Sequence, residues 1–294
     1  MGMDWLFFAE ITLAGLGTGG LYALTGLAFV IIYKSTGVVN LAIGEMLMLG
    51  AYLCFGLATG MGLPIWIAIA LAVIGSGLAG GLIERVAIRP MLGESPISVF
   101  MITVGLASVL IGIVELVWTA EPRRMPAIMP DKAIFIGEAF VPSKVFYGFF
   151  VTIILISLVL LVFRYWRGGV ALRATASDQP AAYSMGINVP RVFSLSWIVA
   201  GMIAAVAGVI VGAIGGISPA MGIFGLSVLV VVIVGGLDSV LGALVAGMAI
   251  GLIEAWASGF LGGEFKIVAT FLVLIVVLMI RPYGLFGTRE IERL

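Results

Sequence analysis

Apolar runs of membrane-crossing length recur along the whole of this 294-residue chain, interrupted only by short breaks of glycine, proline and charge. A helix needs about 20 apolar residues to cross the hydrocarbon core of a bilayer. The breaks place candidate spans at 7–33, 40–58, 64–88, 97–119, 145–164, 191–214, 223–236, 240–258 and 264–281. Lipid supplies no hydrogen-bond partner for a bare backbone, so runs of this kind are satisfied as helices. The expected fold is an all-α polytopic membrane protein, about eight to ten transmembrane helices in one bundle, forming a single domain over 1–294. The run at 223–236 is short for a crossing, which predicts a tilted, broken or re-entrant helix there.

Charge narrows what such a bundle can do. Hydrophobic residues make up 62% of the chain, charged residues 10%, and the formal net charge is zero, so no basic surface points to nucleic acid. Histidine is absent and Cys54 is the only cysteine. That excludes an internal disulfide, a Cys/His metal site and any nucleophile activated by an imidazole. The N-terminus carries Asp4 and Glu10 and no basic residue before its apolar run, unlike a cleaved signal peptide, so the first span is expected to stay in place. With the polar stretch Gly168–Arg191 on the cytoplasmic side, Lys34, Arg85, Arg89, Arg164, Arg167, Arg173, Arg191, Arg281, Arg289 and Arg293 fall inside. Arg123, Arg124, Lys132, Lys144 and Lys266 fall outside, most of them in the long loop 120–144, where the positive-inside bias weakens. The N-terminus is expected outside and the C-terminus inside.

Two glycine patterns imitate nucleotide sites. Gly15-Leu-Gly17-Thr-Gly-Gly20 spells a dinucleotide fingerprint, but that fingerprint needs a preceding strand, and here it lies inside an apolar helix. Lys34-Ser35 resembles the end of a P-loop, but Tyr33 stands where that loop needs glycine, so the chain is not expected to bind ATP itself. Glycine otherwise serves helix packing: Gly77/Gly81, Gly208/Gly212 and Gly247/Gly251 each put two small residues on one helix face. The same packing suits helices that slide between two states.

Acidic residues inside apolar runs are the next signal, because an ionisable group in a membrane is costly unless paired or wet. Glu84, followed by Arg85, reads as a local ion pair, and Glu115 and Glu254 read as residues reaching headgroup water. Asn40 reads as a helix cap, with Glu45 more than one turn in. The residues alone leave two readings of Glu45 open: a structural hydrogen-bond anchor, or a group that lines or gates a polar path.

The segment Gly168–Arg191 breaks the apolar pattern with GGVALRATASDQPAAYSMGINVPR. Ser177 or Asp178 is placed to cap a short helix, Pro180 fits its first turn, and Gly186 is placed to end it. Such an element reads either as an ordinary loop or as a helix that inserts into a groove on a partner.

Six segments in order then resemble the permease subunits of branched-chain amino acid type ABC importers, most closely the first of the two paired permeases. They are Gly20-Leu-Tyr22-Ala-Leu, Gly37 through Tyr52 with Asn40 and Gly44-Glu45, Ile83-Glu84-Arg85-Val-Ala-Ile-Arg89-Pro90, the island with Ala171-Leu-Arg173 and Met185-Gly-Ile-Asn188, Gly235 through Ala243, and Arg281-Pro282 through Gly287. The resemblance implies a heterodimer with a second, homologous permease, two cytoplasmic ATPase subunits that bind ATP and Mg, a periplasmic substrate-binding protein, and a place in the bacterial inner membrane. No cofactor or metal is expected on this chain, which would be a non-catalytic subunit. The resemblance also implies that 168–191 is the segment coupled to the ATPase, through Arg173, Asp178, Ala181, Gly186 and Ile187. Tyr22, Asn40, Glu45 and Ser227 are carried over as pathway residues.

Three departures bear on the cargo. Ile43 stands where the family often has histidine, Ser227 where it often has lysine, and Asp238 where a third small residue is usual. A more apolar pathway follows, which turns the expectation from the standard amino-acid cargo toward a bulkier or less polar acid, or an amide; the cargo range expected overall is small amino acids or related small carboxylates or amides. The competing reading is a stand-alone secondary carrier or channel in which Glu45 senses ions. An intramembrane enzyme finds no support: the chain has no histidine, no metal cluster and no paired carboxylates at helical spacing.

Overall fold

A computed structural model of the chain describes residues 5–130 and 132–288. Asp4, Arg289 and Arg293, which entered the charge argument, lie outside the described residues. The elements run α1 (Trp5–Thr36), α2 (Ile43–Phe55) with a π-helical turn to Gly60, α3 (Ile65–Ile83) with a π-helical turn Glu84–Ile88, α4 (Pro96–Trp118), β1 (Ala133–Ile136) and β2 (Ala139–Pro142). They continue as α5 (Ser143–Tyr165), α6 (Arg167–Ser177), α7 (Gln179–Ser184), α8 (Val189–Gly215), α9 (Phe224–Gly235), α10 (Val240–Leu261) and α11 (Phe265–Ile280).

The expected spans and the observed helices coincide. Among the described residues seven helices are long and apolar enough to cross a membrane, and two shorter apolar ones, Pro219–Gly235 and Phe265–Ile280, fall on the remaining runs. The chain is a multi-pass helical membrane protein. The short run at 223–236 is a 12-residue helix entered through the 3-10 turn Pro219–Ile223. The loop 120–144 holds an antiparallel hairpin, with Ala133 opposite Pro142 and Ile136 opposite Ala139 around Gly137. Strands of four residues are too short to register in a reading tuned to membrane-length runs.

Backbone contacts divide the chain into two compact units, Met1–Val30 with Met129–Ile153 and Ser227–Leu294, and Ile31–Ile128 with Ile154–Leu226. In the first unit α1 and α10 meet at their backbones. Gly15 lies against Ala255, Gly19 against Met248, Gly247 against Ala23, and Gly251 against Gly19, so a larger residue at any of them would push the helices apart. Gly17 and Gly20 face Val145 and Phe149 of α5 instead. The glycine stripe that imitates a dinucleotide site is thus a two-sided packing surface. In the same unit the chain after α11 folds back on the α9–α10 turn: Leu285 N–H donates to the Val234 carbonyl (2.8 Å) and Phe286 N–H to that of Gly235 (3.0 Å). Gly236, at φ +108°, lies against Gly287, so the fifth and sixth resemblance motifs are one structural feature.

In the second unit α8 is the central helix. It packs on α2 where Gly208 meets the Leu47 carbonyl and Gly50 meets Ala205, and on α3 where Gly77 meets Met202 and Gly80 the Trp197 carbonyl. Gly77 and Gly81 therefore act as the expected pair, whereas Gly208 and Gly212 part company, Gly212 lying against Ile217 beyond the helix. In its most apolar stretch α8 is 61% buried and α4 only 22%. The exposed Ile97, Met101, Val109 and Leu116 of α4 are the side chains that lipid or a neighbouring subunit would cover.

Candidate functional site

The polar island forms two helices rather than one. Asp178, not Ser177, is the cap of α7: its Oδ1 accepts from Ala181 N–H at 2.9 Å, with Pro180 in the first turn. At the other end Ile187 N–H donates to Ala182 O (3.1 Å) and Gly186 N–H to Tyr183 O (3.0 Å), the paired closure that places Gly186 at φ +83°. Two residues later Asn188 caps α8 by accepting from Arg191 N–H at 3.2 Å. The preceding stretch GGVALRATAS belongs to a second helix, α6. Its Arg173 guanidinium donates to the carbonyls of Phe163 and, at 3.2 Å, of Arg164, so it ties α6 to the C-terminal end of α5.

The side of α7 turned inward is apolar. Ala182, Val189 and Phe193 are buried together, with Leu92, Ala174 and Ile187 packed against them. Gln179 Nε2 reaches the Ser35 carbonyl in the last turn of α1 at 3.4 Å. The side turned outward leaves Ala181 exposed, along with Tyr183 and Met185, which are 71% and 83% exposed. Of the five coupling candidates, Asp178 and Gly186 shape α7, Ile187 packs on its inner side, Arg173 anchors the preceding α6, and all but Ile187 are exposed. Sequence spacing does not tell which side of so short a helix is free, so it does not single out Tyr183 and Met185.

A second cluster corrects the reading of Glu254. It does not reach headgroup water: it is buried and accepts from Tyr22 OH (2.7 Å), Ser227 Oγ (3.3 Å) and Thr270 Oγ1, with Lys266 Nζ at 3.3 Å. One carboxylate joins α1, α9, α10 and α11 of the first unit. Tyr22 and Ser227, predicted as pathway residues, are brought together here. A cavity of about 320 Å³ lies beside the cluster, lined by Phe7, Ile11, Thr18, Ser258, Glu254 and Lys266 among others.

The remaining two pathway candidates lie in the second unit and do not touch each other. Asn40 is not the cap of α2, which begins at Ile43. Its Oδ1 accepts from Ala42 N–H (3.1 Å), closing the turn before the helix, and its Nδ2 points at Met46 Sδ (3.4 Å). Glu45 lies in the first turn of α2, 8% exposed, against Gly222. Its Oε2 accepts no hydrogen bond from the described residues. Glu84 pairs with Arg89 and not with the adjacent Arg85 (2.9 and 2.8 Å). A second cavity, about 550 Å³, is lined by Val38, Val39, Leu92, Glu94, Ile97 and Phe100 among others. Neither cavity is lined by Tyr22, Asn40, Glu45 or Ser227.

A model of the branched-chain amino acid transport system permease component family matches residues 11–280. The chain is similar to the high-affinity branched-chain amino acid transport system permease protein LivH of Salmonella typhimurium, at 31% identity over 100% of both chains. It is similar also to the corresponding permease protein BraD of Pseudomonas aeruginosa, at 32% identity over 95% of both. Among solved structures, PsaBC from Streptococcus pneumoniae superposes with a TM-score of 0.51 at 14% identity, covering 95% of this chain and 94% of the other, a likeness of fold alone.

Proposed function

Because this chain belongs to the branched-chain amino acid transport permease family, we propose that it is the membrane-spanning subunit of an ATP-driven ABC importer, moving small amino acids or related small carboxylates and amides from periplasm to cytoplasm. The observation that carries the reading is the island. A capped, terminated six-residue helix, seated on α6, the end of α1 and the start of α8, presents Ala181, Tyr183 and Met185 outward, with none of the described residues covering them. Such a face fits a groove on an ATPase subunit. The ATP and Mg are bound by that partner, consistent with Tyr33 in place of the P-loop glycine.

The assembly contains a second, homologous permease, two ATPases on the cytoplasmic side and a soluble binding protein on the other. Residues 1–294 act as one permease domain with 168–191 as its coupling segment, the N-terminus outside and the C-terminus in the cytoplasm. Glu45 is the pathway candidate best supported by geometry, since a buried carboxylate oxygen without a partner is costly unless something else meets it. Tyr22 and Ser227 act on the pathway by holding helices through Glu254.

The test is uptake into proteoliposomes that hold the complete assembly with ATP enclosed. Labelled leucine should enter only with ATP and the binding protein present, and small apolar 2-hydroxy acids and amides should compete. Uptake by this chain without any ATPase would instead establish a stand-alone carrier.

A further inference from the structure

The motif Ile83-Glu84-Arg85-Val-Ala-Ile-Arg89-Pro90 has no part in the function so far, yet it builds the most completely bonded polar cluster in the second unit. Residues five apart on an α-helix point about 140° away from each other. Here the backbone widens into a π-helical turn at Glu84–Ile88, with Arg89 N–H donating to the Glu84 carbonyl, and the two side chains come onto one side. Arg89 Nε donates to Glu84 Oε1 at 2.9 Å and Nη2 to Oε2 at 2.8 Å. The same Nη2 reaches the Pro190 carbonyl (3.1 Å) and Ser194 Oγ (2.7 Å), and Ser194 Oγ donates to Glu84 Oε2 at 2.9 Å. Glu84 is fully buried.

Pro190 and Ser194 are the first turns of α8, the helix that begins at Val189 directly after the closure of α7. Leu92, just past Arg89, packs with Ala182 of α7 and with Val189 and Phe193 of α8. The end of α3, the start of α8 and the inner side of α7 are therefore joined by one apolar cluster and one ionic cluster. Burying an ion pair is a poor way to add stability, since desolvation offsets most of the attraction, but it holds a specific geometry. We propose that Glu84, Arg89 and Ser194 form a rigid joint that carries displacement of α7 into α3 and α8 together, making Arg89 and Ser194 positioning residues for coupling ATP hydrolysis to transport. The joint rests on the reading of α7 as the ATPase-docking helix.

The experiment uses the full assembly in proteoliposomes and reads cargo moved per ATP hydrolysed, alongside the ATPase retained on purification. Ser194→Ala keeps the Glu84–Arg89 pair, and Arg89→Lys keeps the charge without the two-pronged geometry, so neither strands a buried charge. Both should retain the ATPase subunits and hydrolyse ATP, while cargo per ATP falls about five- to tenfold, the span of a modest coupling energy. Ser194→Thr, which keeps the hydroxyl, should restore it. An unchanged ratio in both variants overturns the joint and leaves the docking reading standing. A fall in transport that merely tracks loss of ATPase subunits also overturns it, as a folding or docking defect. If the wild-type chain carries no ATPase at all, the docking reading fails and the joint with it.

Discussion

At the scale of single residues, the acidic side chains separate by what surrounds them. Glu254 is saturated with donors, so Glu254→Ala removes the acceptor that Tyr22, Ser227 and Thr270 share and loosens the link between α1, α9, α10 and α11, at a cost of about 1–3 kcal/mol. Lys266→Ala should cost less than about 1 kcal/mol, because that side chain is 42% exposed and its pairing is screened. Thermal unfolding of the purified chain should rank the two variants in that order. Glu45 is the opposite case: Glu45→Gln removes a charge with an unmet oxygen, so the unfolding midpoint should hold or rise while uptake falls. A fall in midpoint with uptake intact would return Glu45 to the structural reading. The sequence marks all of these acids as exceptional in an apolar run. It does not distinguish them, because Glu254 and its partners Tyr22 and Ser227 are far apart in the chain and meet only in the fold.

At the scale of elements, length and glycine spacing made most of the architecture legible. The nine apolar runs correspond, among the described residues, to seven long helices and two short ones, and the 3-10 entry explains why 223–236 is short. Periodicity does not separate α6 from α7 within the helix-forming island, nor does it show the hairpin in 120–144. The glycine pairs carry a direct consequence. Gly251 faces the backbone of Gly19, so Gly251→Ala should lower the yield of monodisperse protein on size exclusion. Gly105, in the middle of α4 with nothing near it, should tolerate the same change or gain about 0.5–1 kcal/mol. The cap of α7 behaves likewise: Asp178→Ala should cost about 1 kcal/mol and speed hydrogen exchange at the Ala181 amide, while Asp178→Asn should largely keep it.

At the scale of the whole molecule, the fold and the family are stated twice over, by motif order and by relatives matched along their full length. The candidate site was only half legible. Sequence located the polar island and the start and stop signals of its helix. It selected residues that shape α7 rather than those that leave it exposed, because exposure depends on which side α8 and Leu92 cover. The central claim is that α7 transmits an ATPase cycle to this bundle, and the most direct measurement is retention of ATPase subunits on the affinity-purified chain, wild type against Tyr183→Asp with Met185→Asp. The wild type should hold its ATPases and show hydrolysis stimulated by the binding protein, and the double variant should stay folded, lose both and stop transporting. A double variant that keeps its ATPases and transports at the wild-type rate would contradict the account.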